Sequence, residues 1–143
     1  MRTLAHKRYR PGVVESTVMT DLARHWDEGW NGADVDVIMA PFAADVVFSS
    51  PFLPRLTGDP DQRTIDGADA LRQYVVGALA RASDVRYTLH QALGGVDTVV
   101  LVYTCHLPDG SDKPGADLMR VDGDGRVTEW RCHYATDPTQ WRP

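Results

Sequence analysis

Asp117-Leu118-Met119-Arg120-Val121-Asp122-Gly123-Asp124-Gly125-Arg126-Val127-Thr128-Glu129-Trp130-Arg131-Cys132-His133-Tyr134 reads as two strands joined by a tight turn. The Asp-Gly-Asp-Gly run suits a hairpin and lacks the ligand spacing and closing glutamate of a calcium loop. A period of two places Trp130, Cys132 and Tyr134 on one apolar, inward face, and Arg131 and His133 on the other. One residue breaks the pattern: Asp117 is a carboxylate starting a strand whose other residues are mostly apolar. It is a solvated strand end, an aspartate bonded to the nearby turn, or a group held inside a pocket. In a pocket, desolvation would raise its pKa and fit it for hydrogen-bond donation or general acid/base work.

Outward from this hairpin, Val99 to His106 is an apolar strand. Before it, Val85, Tyr87 and Leu89 alternate with Arg86, Thr88 and His90, and Gly94-Gly95 supplies a turn. Upstream the period changes to that of helices. Val18, Leu22, Trp26 and Trp30 recur every four residues and predict a helix over 14–30, ended by Asn31-Gly32. Asp34 is positioned to cap a short second helix with Val35, Ile38, Met39 and Phe42 inward. Val46 to Ser50 reads as a first strand, and 51–64, with three prolines, as a long loop of the kind that rims functional sites. Residues 67–82 predict a third helix with Leu71, Tyr74, Val75, Ala78 and Leu79 on one face. Helices followed by a strand meander define an α+β domain. A curved antiparallel sheet with its concave side covered by three helices would enclose a cone.

The chain has 143 residues, enough for one domain with a real core. Residues 1–13, with Arg2, Lys7, Arg8 and Arg10, read as a loose basic arm, 14–136 as the domain and 137–143 as a tail. The composition is ordinary, 43% hydrophobic and 24% charged. A net charge of −5 argues against a nucleic-acid partner. No stretch approaches the roughly 18 apolar residues that span a membrane, and no signal-peptide core is evident, so a cytoplasmic protein is expected. The two cysteines, Cys105 and Cys132, form no CxxC pair, and no metal site is expected.

Three segments carry a resemblance: Trp30 to Pro51, Asp66-Gly67-Ala68-Asp69-Ala70-Leu71-Arg72-Gln73-Tyr74, and Asp117 to Tyr134. Through them the chain resembles the NTF2-like superfamily, in its SnoaL-like polyketide cyclase and ketosteroid isomerase branch. The resemblance implies the cone fold and a cavity, but the superfamily hosts isomerases, cyclases, hydrolases and non-catalytic binders. The steroid isomerases' base aspartate corresponds to Ser50, which cannot be that base. Their oxyanion-holding tyrosine corresponds to Trp26, which can only donate. Their protonated aspartate corresponds to Asp117. The chain is also similar to limonene-type epoxide hydrolases around Trp130-Arg131-Cys132, where Cys132, Cys105 and Tyr103 occupy that family's catalytic positions. Both catalytic sets are incomplete.

These readings give an expected site with Asp117 handling a proton and Trp26 and Tyr103 as hydrogen-bond donors. Trp30, Phe48, Ser50, Phe52, Tyr74, Tyr87, Cys105, Met119, Trp130, Cys132 and Tyr134 are expected to line it, against the plainer reading that they fill the core. Cys105 and Cys132, if both inward, would face each other on neighbouring strands as packed thiols or a disulfide. His133 is expected outside; His106 depends on register, and His25 and His90 read as surface residues. The expected ligand is small and hydrophobic, with no cofactor, and the assembly a homodimer. The leading function is isomerase or cyclase chemistry on a cyclic polyketide, steroid or terpenoid, with a passive binder or an altered hydrolase as alternatives.

Overall fold

The computed structural model describes residues 13–135. The expected tail and all of the expected arm except Val13 lie outside the described residues. The chain runs α1 (Ser16–Asn31), α2 (Val35–Met39), β1 (Phe42–Ser49), α3 (Leu53–Thr57), β2 (Ile65–Asp66), α4 (Ala68–Arg81), β3 (Arg86–Gly94), β4 (Thr98–His106), β5 (Asp112–Val121) and β6 (Val127–Tyr134). One curved, open six-stranded sheet has the order β2-β1-β6-β5-β4-β3. Its neighbours are antiparallel except β1 and β6, which run parallel.

The three expected helices form as α1, α2 and α4, with one local difference between the first two. Asp34 caps α2 by accepting from the Asp36 and Val37 amides, but the left-handed residue between α1 and α2 is Ala33, at φ 51°, and not Asn31 or Gly32. Gly29 sits where α1 crosses α2. A Cβ there would lie 2.5 Å from Ile38 Cγ1, so the absent side chain sets the close approach.

Three expectations are corrected. First, β1 begins at Phe42, four residues before Val46, because its parallel pairing to β6 starts with Phe42 opposite Val127. Second, the 51–64 loop contains α3, whose proline lies in the first turn, where a missing N–H costs nothing. Third, β5 begins at Asp112 rather than Asp117, since Asp112 to Ala116 pair with β4 despite their weak strand propensity.

The core packs α1, α2 and α4 against the sheet through Leu22, Ile38, Leu71 and Val75 from the helices and Val46, Val99, Leu101 and Val127 from the strands. Met119, 2% exposed, belongs to this core. No described helix is long and apolar enough to cross a membrane.

Candidate functional site

The pleat of β5 turns Gly115, Asp117 and Met119 inward. Asp117 therefore lies mid-strand and is 2% exposed, which excludes a solvated strand end. Three elements bring donors to it. Trp26 of α1 donates its indole N–H to Oδ2 at 2.9 Å, and Trp130 of β6 donates to the same oxygen at 3.0 Å. Tyr103 of β4 donates its hydroxyl to Oδ1 at 2.9 Å. Cys132, directly opposite Asp117 across β5 and β6, directs its thiol at the same carboxyl.

Burial pushes the Asp117 carboxyl above the ordinary aspartate value, against the pull of the Trp26, Tyr103, Trp130 and Cys132 donors. The donor geometry then decides where a proton can reside. An indole N–H cannot accept, so Oδ2, facing two of them, is held as an acceptor. Only Oδ1, shared with a phenol able to donate or accept, can carry a proton.

Asp117 forms the floor of a cavity of about 220 Å³, far more than the roughly 10–15 Å³ that one water needs. Trp26, Trp30, Phe48, Ser50, Phe52, Tyr74, Tyr87, Tyr103, Trp130, Cys132 and Tyr134 line it together with Asp117. Phe48 and Trp130 pack with ring centroids 4.5 Å apart, as do Trp26 and Tyr103. The Ser50 oxygen accepts from the Phe52 amide at 3.2 Å. Burial holds Tyr74 up to about 12 and raises Tyr87, Tyr103 and Tyr134 as well, so these phenols stay protonated donors through the ordinary pH range. It also raises the Cys132 thiol well above its ordinary value, which leaves a poor nucleophile.

Two expected lining residues are not part of the cavity. Met119 is packed in the core. Cys105, half-buried near the end of β4, pairs with Tyr87 and Lys113 in register. The two cysteines are free thiols and do not face each other, because β5 lies between their strands. The histidines are elsewhere. His106 points outward to Thr88 and Asp112, His90 bonds Thr104, His25 is half-buried and bonds the Asp21 carbonyl of its own helix, and His133 is exposed.

Leu56, Ala78, Arg81 and Ala82 also line the cavity. Sequence reading missed them, although Ala78 and Arg81 follow Tyr74 at i+4 and i+7 on one helix face. It also took Trp130 for lining alone, when its N–H is one of the bonds to Asp117. Among the described residues no three His, Cys, Asp or Glu side chains converge as metal ligands.

A SnoaL-like domain model matches residues 23–139. A SnoaL-like protein of unknown function from Burkholderia thailandensis is 25% identical, with a TM-score of 0.74 over 86% of this chain and 98% of its own. A protein of unknown function with a cystatin-like fold from Methylobium petroleophilum is 18% identical, with a TM-score of 0.70 over 90% of this chain and 82% of its own. A protein with a ketosteroid isomerase-like fold from Catenulispora acidiphila, solved with trimethylamine, is 21% identical, with a TM-score of 0.64 over 86% of this chain and 98% of its own. No curated protein matches. The matched domain model covers most of the chain, the six-stranded cone is the fold of these neighbours, and the chain belongs to the SnoaL-like family.

Proposed function

We propose that the protein is a small-molecule enzyme whose own side chains move a proton on a hydrophobic cyclic substrate, in an isomerisation or cyclisation. The observation that carries this reading is Asp117: a carboxyl at the floor of an aromatic cavity, with one oxygen pinned as an acceptor and the other shared with Tyr103. A carboxyl with a raised pKa binds and releases a proton nearer neutrality than an ordinary aspartate does. In this mechanism Oδ1 removes the proton from a carbon beside a substrate carbonyl and returns it to another position. Trp26 and Trp130 hold the carboxyl in place, and the Tyr103 hydroxyl stabilises the ionised form. Ser50, at the place of the steroid isomerases' base, takes no part in proton transfer and shapes the rim.

The test is deuterium uptake from heavy water into a panel of cyclic ketones, followed by NMR. Uptake by the wild type that disappears in Asp117→Asn is expected. Uptake no faster than in buffer, or unchanged in the variant, overturns the proposal.

One observation favours a second reading, a passive binder for an apolar ligand. Both Asp117 oxygens already have partners inside the protein, so the carboxyl is stable without any reaction to perform. A ligand retained on purification, with no deuterium uptake by any ketone, is the outcome that reading expects.

A further inference from the structure

Asp117 and Arg81 are the two charged side chains on the wall of the cavity. Asp117 is buried at the floor, whereas Arg81 is exposed and so stands at the rim. Tyr74, Ala78 and Arg81 form one stripe of α4, at i, i+4 and i+7, and this stripe is what α4 contributes to the cavity wall. The guanidinium lies back along the helix beside Gly77, where a Cβ would be 3.4 Å from Nη1 and 3.7 Å from Nη2, ordinary contact distances.

Arg24, Arg72 and Arg120 each pair with acids. Arg81 has neither an ion pair nor a hydrogen bond among the described residues. Its place in the last turn of α4 suits the helix dipole, but that explains a cation anywhere on the turn, not one over the cavity. An open aromatic pocket with a free planar donor fork at its rim is complementary to an anionic group held near solvent. The floor is not, because an anion there would meet Asp117. Charge thus fixes the direction of entry, with the apolar end first.

We propose that Arg81 is the receptor for a single anionic group, and that the natural ligand is an apolar ring system carrying a carboxylate-like anion at its outer end. This deepens the cavity assigned under the proposed function and rests on it.

Two fluorescent dyes that differ only in one anionic group test this, anilinonaphthalene sulfonate and N-phenylnaphthylamine. The wild type is expected to bind the sulfonate about five-fold more tightly than Arg81→Gln does, with binding of the neutral dye unchanged. Arg81→Lys should recover part of the difference, and added salt should shrink it. Equal loss for both dyes, no loss for either, or no binding of either dye by the wild type overturns the inference. The two readings fail separately. Arg81-dependent sulfonate binding without deuterium uptake sinks only the enzyme, whereas Asp117-dependent uptake without that preference sinks only the anion receptor.

Discussion

The Trp26 indole donates to Asp117 Oδ2 across 2.9 Å in space and 91 positions in sequence. It ties the first helix to the middle of the meander at the point where a carboxyl lies inside an aromatic cavity. Trp130 makes the same bond from the opposite side. Two rigid rings that can only donate therefore fix one carboxyl oxygen and leave the other shared with the Tyr103 hydroxyl.

Asp117→Asn should fold and Asp117→Ala should not be neutral. In the asparagine variant the amide oxygen can take the Oδ2 place and receive both indoles, while its NH₂ group faces the Tyr103 hydroxyl, which can accept. A loss below about 1 kcal/mol is expected. Alanine leaves two indole N–H groups and a phenol without their acceptor. Water entering from the cavity relieves part of that, so about 2–3 kcal/mol is expected. Urea unfolding of the two variants measures both, and equal losses would refute the donor arrangement.

Replacing Trp130 with Phe should raise the Asp117 carboxyl further above its ordinary value. The substitution removes one N–H from the ionised form while leaving the site buried. Trp26→Phe acts on the same oxygen in the same direction. Carbon-13 NMR titration of the Asp117 carboxyl reads the shift directly, and a downward movement in either variant contradicts the assignment.

The raised carboxyl also has a consequence for stability. The folded protein holds this proton more tightly than the unfolded chain, whose aspartate titrates near 3.8. Between that value and the raised folded one, the unfolded state binds fewer protons, so stability falls as pH increases. The stabilisation is complete below the ordinary value and is lost as pH rises through the folded one. Tm measured against pH should show this decline in the wild type relative to Asp117→Asn; parallel curves would show that Asp117 titrates normally.

Much of the fold is legible in the residues because hydrophobic period is a local property. Trp26 and Trp30 at helical spacing, and Trp130, Cys132 and Tyr134 at strand spacing, point where the periods put them. What local pattern cannot show is pairing. Phe42 looks like the end of a helix until it pairs with Val127 of β6, and Asp112 to Gly115, with a proline and a glycine, look like a turn until β4 recruits them. The same limit applied to the site. Asp117 stood out as an acid among apolar residues, but Trp130 as its donor, β5 between the two cysteines, and Arg81 over the cavity depend on contacts between distant elements.

Gly115 shows how such a contact supports the proposed chemistry. It lies opposite Tyr103 across β4 and β5, and a Cβ added there would stand 2.8 Å from Tyr103 Cε2 and Cζ and 2.9 Å from its hydroxyl oxygen. The absent side chain is the space in which the Tyr103 ring lies flat, bringing its hydroxyl to Asp117, two residues along the same strand. Gly115→Ala must move the ring, at a cost of about 1–3 kcal/mol, and should weaken the Tyr103–Asp117 bond. Deuterium uptake should then fall as it does in Tyr103→Phe. The double variant should be no slower than Tyr103→Phe alone, because both changes act through one hydrogen bond. Additive losses would mean that Gly115 acts on packing only, and full uptake in Gly115→Ala would mean that Tyr103 does not need its place above the strand.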